Sequence, residues 1–169
     1  SVQDDANKIG YQSICLPTAL AGLCTTQERF GILELQDVIY PAIALAQHGF
    51  PVDSTLENTI DDNFLKLTRF PASAKIFCPQ GRPLMRGETL RMTDYARTLK
   101  QIAHDGPEVF YRGALAERMM QDIEANGGLI THKDLETYRA SLSTPQSIQY
   151  REFDVISGAP DCSGGRFVL

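Results

Sequence analysis

Residues 104–139 read HDGPEVFYRGALAERMMQDIEANGGLITHKDLETYR, a run that spells two helices with their stops and starts. Gly106 and Pro107 end an earlier helix and restart the chain. Leu115, Ala116, Met119, Met120 and Ile123 then recur at helical spacing, with Glu117, Arg118, Gln121 and Asp122 on the opposite face. Gly127 and Gly128 can adopt the positive φ of a helix stop. Thr131 and Asp134 have the spacing of a capping box, and Ile130 with Leu135 fits the hydrophobic staple that accompanies one. An amphipathic helix so punctuated must lay its apolar stripe on neighbours, which points to an α-rich layer.

The preceding sequence extends that layer. Residues 1–14 are polar and read as a lead-in. Pro17 suits the first turn of a helix with inner face Leu20, Leu23 and Cys24, ending near Gly31. Leu35, Val38, Ile39, Ala42, Leu45 and Ala46 predict a second helix, bent at Pro41 and stopped by Gly49 and Pro51. Ser54 with Glu57 reads as a capping box opening a third, whose Leu56, Ile60, Phe64 and Leu67 face inward until Pro71. Pro79, Gly81, Pro83 and Gly87 break the pattern between Pro71 and Arg91, predicting a loop with at most one short strand near Leu84. A further helix opens at Asp94, faced by Tyr95, Ala96, Leu99, Ile102 and Ala103.

After Arg139 the period changes from helical to alternating. Ile148, Tyr150, Phe153, Val155 and Ile156 lie in two β-prone runs around Arg151-Glu152, a hairpin or two consecutive strands before the turn Ser163-Gly164-Gly165. The expected fold is mainly α with a short C-terminal β hairpin. Its expected parts are a lead-in (1–14), a helical layer (15–140) and strands with the Ser-Gly-Gly turn (141–169).

Composition bounds what such a layer can do. The 169 residues are 43% hydrophobic and 22% charged, enough for one domain with a real core. A net charge of -5 supplies no basic stripe for nucleic acid, and no apolar run nears the roughly 20 residues of a membrane helix. Cys15, Cys24, Cys78 and Cys162 lack C-x-x-C spacing and the three histidines are scattered, so neither a zinc site nor a redox motif is expected. Buried free thiols are the expectation. With Ser1 first and no leader, the chain reads as an excised segment, and its compartment cannot be read from it.

The blocks also carry a resemblance. G-P-E-x-F-Y-R-G (106–113), the helix after it and G-G-L-I-T-x-x-D-L-x-x-Y-R (127–139) closely resemble the large subunit of gamma-glutamyltransferases. Leu16 to Gly31 (LPTALAGLCTTQERFG), Pro41 to Val52 (PAIALAQHGFPV) and the Ser163-Gly164-Gly165 turn agree in the same order. The resemblance implies a helical segment of an αββα N-terminal-nucleophile hydrolase, made as a precursor that cleaves itself into large and small subunits. It implies an N-terminal Thr on the small subunit that takes the γ-glutamyl group as an ester and passes it to water or an amino acid. That Thr is not among these residues, nor is the R-E-x-x-P motif whose Arg holds the substrate carboxylate. No catalytic, cofactor or metal residue is therefore carried over. The family is usually periplasmic or extracellular.

Individual candidates favour structural readings. Ser1 combines a hydroxyl with a free amine, but polar sequence follows it rather than a buried strand, so it reads as a remnant of excision. Ser163-Gly164-Gly165 could aim backbone N–H groups at an anion, yet Cys162 and Ala159-Pro160-Asp161 depart from the family's serine and prolines, which favours a plain turn. His48 and His104 fall in the last turns of helices, where a cation suits the dipole, and His132 reads as an exposed first-turn residue. Arg29, Arg112 and Arg139 read as structural pairs, and Met119-Met120 as core filler.

Two function classes follow. The first is a large-subunit segment of an enzyme that transfers or hydrolyses the γ-glutamyl group of glutathione-like molecules, or of a sibling acylase for another amide. Alone it is expected to be inactive, its partner the small subunit of the same precursor. The second is a stand-alone helical binding module. Cutting a covering layer free would expose apolar helix faces, so self-association of the isolated chain is expected.

Overall fold

A computed structural model describes residues 5–158. Ser1, Cys162 and the Ser163-Gly164-Gly165 turn lie outside the described residues. Two compact units divide the chain, Ser1–Tyr138 and Arg139–Leu169.

The first unit is helical. A 3-10 turn at Tyr11–Ser13 leads to α1 (Ala19–Phe30) and α2 (Leu35–His48), followed by α3 (Ser54–Asp62), α4 (Phe64–Leu67) and α5 (Pro71–Phe77). Then come α6 (Thr93–Asp105), α7 (Glu108–Tyr111), α8 (Ala114–Ala125) and α9 (His132–Thr137). One core gathers Val52, Ile60, Cys78, Leu84 and Leu90, with Leu56, Phe64, Leu67 and Phe77 packed around them. The other gathers Tyr111, Ala116, Met120, Ile123 and Leu135, with Leu16, Leu20, Ala21 and Met119 against it. The stripe read on α8 is thus the one buried, and Met120 is 0% exposed. α2 lies along α6, its most extensive helix partner, and the Met92 amide donates to Ala46 O at 2.9 Å where the two meet.

A two-residue ladder ties the segment after α2 to the segment before α6 beside the first core. β1 (Phe50–Pro51) pairs antiparallel with β2 (Thr89–Leu90), Phe50 opposite Leu90. Val52 N to Glu88 O (2.8 Å) and Gly87 N to Val52 O (2.9 Å) continue it. Gly49 makes the turn into β1 with φ +83°, and a Cβ there would sit 2.8 Å from Leu90 O, so only glycine fits.

Several expectations are corrected. The loop foreseen from Pro71 contains helix α5, because Pro71 takes the N1 position where its missing N–H costs nothing. The short strand sits at Thr89–Leu90 rather than near Leu84, which is a core residue. Asp53, not Ser54, caps α3, accepting the Leu56 amide at 2.8 Å, and the third helix breaks at Asn63 into α3 and α4. α1 starts at Ala19 with Thr18 as its N-cap, so Pro17 precedes the helix. Of the expected inner face of α1, Leu23 is 70% exposed, while Leu20 packs on the core as expected and Ala21 joins it. α2 holds Pro41 inside one helix, as the spacing predicts. Only Gly127 of the glycine pair has positive φ; Gly128 is required for space, since its Cβ would meet Ile123 Cγ2 at 2.5 Å. All three described cysteines are free thiols, but only Cys78 is buried.

The second unit holds the hairpin of β3 (Gln146–Tyr150) and β4 (Phe153–Ser157). Its register pairs Tyr150 with Phe153 and Ile148 with Val155, which puts these four side chains on one face. Arg151 has φ 54°, the left-handed conformation that tight hairpin turns demand, and its guanidinium carbon lies 5.3 Å from the Tyr150 ring centroid.

Candidate functional site

An open groove of about 670 Å³ runs between α6 and α8. Its α6 wall is Asp94, Arg97, Thr98 and Gln101; its α8 wall is Leu115, Arg118, Met119 and Asp122, and Phe110 of α7 completes the lining. Each wall follows the i, i+3, i+4, i+7 spacing of one helix face, so α6 contributes a wholly polar stripe and α8 a mixed one. The polar groups are already engaged. Arg97 pairs with Asp94, Arg118 Nη2 donates to Gln101 Oε1 at 3.3 Å, and Asp122 Oδ2 accepts the Tyr11 hydroxyl at 2.9 Å. That hydrogen bond raises the Tyr11 pKa.

Nucleophile chemistry is equally muted. Thr131 Oγ1 donates to Asp134 Oδ2 at 2.7 Å and accepts the Asp134 amide at 3.2 Å, completing the capping box read in the sequence. The Thr131 hydroxyl and amide hold the Asp134 carboxyl below its usual range, which makes it a weak base. Cys24 is pushed up by burial and by Glu28, away from thiolate character. No described histidine ring is hydrogen-bonded to a Ser, Thr or Cys side chain. His104 Nδ1 lies 2.6 Å from Asp105 Oδ1, and His132 lies 3.9 Å from Glu117 and 3.8 Å from Glu124. His48 closes α2, where its carbonyl accepts Arg91 Nε and Nη2, each at 3.2 Å. Among the described residues no group of three or more His, Cys, Asp or Glu could hold a metal, and no helix is long and apolar enough to cross a membrane.

Arg112 emerges as a brace. Nε (3.1 Å) and Nη2 (2.7 Å) both donate to Glu136 O at the end of α9, while Nη1 pairs with Glu108 at the start of α7. Arg29 is exposed in the last turn of α1. The structure does not bring Arg29, Arg112 and the histidines together. Sequence reading placed Arg118 and Asp122 on the polar face of α8 but missed the matching α6 stripe; Asp94, Arg97, Thr98 and Gln101 carried the signal in their spacing.

The described residues thus form two small cores, a helical layer braced by Arg112 and a groove whose polar groups already have partners. The chain belongs to the gamma-glutamyltranspeptidase family, whose profile matches residues 1–169. Over 163 residues it is 42% identical to the Acylase ACY 1 proenzyme of Pseudomonas sp. (strain V22), covering 96% of this chain and 29% of that protein. It is 38% identical over 154 residues to the glutathione hydrolase proenzyme of Escherichia coli K12, covering 90% and 27% respectively. The fold superposes on Helicobacter pylori gamma-glutamyltranspeptidase with a TM-score of 0.92 at 31% identity, across 97% of this chain and 47% of that one. The chain thus spans under a third of the length of the curated relatives it matches.

Proposed function

We propose that these residues form a helical layer in the large subunit of a self-cleaving N-terminal-nucleophile enzyme acting on γ-glutamyl amides such as glutathione. In this reading 15–140 is the layer and 141–169 begins the strands of the αββα sandwich. The nucleophilic Thr comes from the rest of the same precursor. Its hydroxyl gives up a proton and attacks the γ-carbonyl, the amine departs with a proton, and water or an acceptor amine releases the γ-glutamyl group from the ester. The layer's part is to hold the sheet that carries this chemistry, so the segment alone is inactive. The observation that carries the reading is the fit to the Helicobacter pylori enzyme over 97% of the chain.

A second reading is supported by the 42% identity to Acylase ACY 1: the same architecture acting on a different amide. Purifying the full-length gene product, measuring its intact mass and sequencing its N-termini tests the class. Two fragments are expected, the smaller beginning with Thr. Hydrolysis of γ-glutamyl-p-nitroanilide then supports the first reading, and cleavage of a cephalosporin side-chain amide with no γ-glutamyl turnover supports the second. A single uncleaved chain inactive on both overturns the two together.

A further inference from the structure

Of the four asparagines in the chain, Asn126 alone is followed by glycine. The pair closes α8, with Asn126 as the C-cap and Gly127 beyond it at φ +71°, and both residues are exposed. Glycine has no Cβ to screen its amide nitrogen. An Asn-Gly pair therefore sets an electrophilic side-chain carbonyl beside an unhindered backbone nitrogen. Asn58 and Asn63 are followed by Thr59 and Phe64, whose side chains obstruct that approach.

The folded turn holds both reactants apart. Asn126 Nδ2 donates to Asp122 O at 2.8 Å and to Asp122 Oδ1 at 3.3 Å. Gly127 N donates to Glu124 O at 3.2 Å. Asn126 has ψ 14°, which turns the Gly127 nitrogen toward the nitrogen of Asn126 and away from its Cβ. Ring closure has to await opening of the last turn of α8. That turn has no basic side chain to complement the helix dipole, and helix ends fray.

We propose that Asn126-Gly127 is a self-modification site whose rate is set by opening of this turn, and whose product loosens the joint between α8 and α9. Once the turn opens, the Gly127 nitrogen loses its proton to hydroxide and bonds to Asn126 Cγ, and Nδ2 departs as ammonia. Water then adds to either carbonyl of the resulting succinimide. Opening at Cγ gives aspartate, and opening at the main-chain carbonyl gives isoaspartate, in which the chain runs through Cγ. The sum consumes a water and releases an ammonia. Either product puts a carboxylate at the negative end of α8, one helical turn after Asp122, and removes the donor to Asp122 O. Isoaspartate also lengthens the backbone by an atom where there is no slack. Gly128 N donates to Ile123 O at 2.8 Å, and a Cβ on Gly128 would lie 2.5 Å from Ile123 Cγ2 and 3.3 Å from Tyr11 O. Ile123 shares its core with Leu135 of α9, so a shift here reaches both helices.

The test incubates the full-length protein in mildly alkaline buffer, folded and in urea, and follows the tryptic peptide 119–133 by mass, with electron-transfer fragmentation to separate isoaspartate from aspartate. Asn126 is expected to convert in both samples, several-fold more slowly when folded, because the reactive state is the locally opened one. Asn58 and Asn63 are expected to stay intact over the same time. Gly128→Ala, which crowds Ile123, should bring the folded rate toward the urea rate. The proposal is overturned if Asn126 stays intact in the folded protein after conversion in urea is complete, if the two rates are equal, or if Asn58 converts as fast. Should Gly128→Ala fail to fold, the comparison of folded and urea samples of the unsubstituted protein decides. The consequence is read by amide exchange across 127–131. Exchange should be faster in the isoaspartate form than in Asn126→Asp, which carries the charge without the extra backbone atom. Equal exchange in the two would overturn the claim that the modification loosens the joint through its lengthened backbone.

Discussion

The hydroxyl of Tyr111 donates to the carbonyl of Pro17 at 2.8 Å, joining residues 94 positions apart. The same oxygen accepts the Ala21 amide at 3.0 Å, so one side chain satisfies two backbone groups at the start of α1. Tyr111 is 5% exposed, and burial raises its pKa, keeping the donating proton in place. Tyr111→Phe retains the ring packing against Phe110 and Tyr138 but leaves a carbonyl and an amide without that partner. A loss of about 1–3 kcal/mol in unfolding free energy, the usual cost of an unsatisfied backbone group, is expected and is read from a lower denaturant midpoint. An unchanged midpoint would mean that the pin contributes nothing.

Arg112 makes a similar bridge by a different geometry. Two of its nitrogens converge on Glu136 O while a third pairs with Glu108. Lysine keeps the charge but cannot present a planar fork, so Arg112→Lys should behave nearly as Arg112→Ala, each losing about 1 kcal/mol or slightly more. Thermal melts of both variants check this. A lysine variant as stable as the wild type would show that charge alone suffices.

The capping box shows what was legible in advance. Thr131 and Asp134 were placed by spacing alone, and the Thr131 amide meets Asp134 Oδ2 at 2.9 Å. Such a motif is local, so four residues determine it. Thr131→Ala should cost about 0.5–2 kcal/mol, with Thr131→Ser recovering most of it in the same melt. α8 was legible for a related reason, its one apolar stripe meeting one core. In α2 the helix was legible but its buried face was not: the reading joined Val38, Ala42 and Leu45, which are exposed, to Ile39 and Ala46, because apolar spacing alone does not say which side of a largely apolar helix meets the core. α5 was hidden by the prolines on either side of it, Pro71 being a helix starter read as a breaker. The α6 half of the groove was missed because a polar stripe on an exposed helix is the ordinary solvent face until a second helix comes alongside.

Glu88 supplies a pH dependence. Its carboxylate takes Arg82 Nη1 at 2.9 Å and Nη2 at 2.6 Å and accepts the Met85 amide at 2.7 Å. Arg82 first and then that amide lower its pKa from 4.5 to about 2. Between those values the unfolded chain binds the proton and the folded chain does not. The contribution is therefore complete above pH 4.5 and is lost as pH falls through about 2. Glu88→Gln should lower stability at pH 7 and flatten the decline below pH 4.5, measured as melting temperature against pH. Parallel acid slopes for the two proteins would refute the assignment.

The thiols should separate by environment. Cys15 is exposed, Cys24 half-buried and Cys78 buried at 4% exposure. Alkylation requires both access and thiolate, and burial raises the pKa of Cys24 and of Cys78, Glu28 adding to the rise at Cys24. Iodoacetamide at neutral pH should therefore modify Cys15 first, Cys24 more slowly and Cys78 last, as read by fragment-ion sequencing of the tryptic peptide 9–29, which holds both Cys15 and Cys24, and of the peptide that holds Cys78. Cys78 lies in the core with Val52, Ile60, Leu84 and Leu90, so its modification has to await opening of that core and should accelerate in sub-denaturing urea. Cys15 should show no such acceleration. If Cys78 reacts at the rate of Cys15 in native buffer, the core around Leu84 is open in solution, and the ladder joining β1 to β2 does not hold the loop in place.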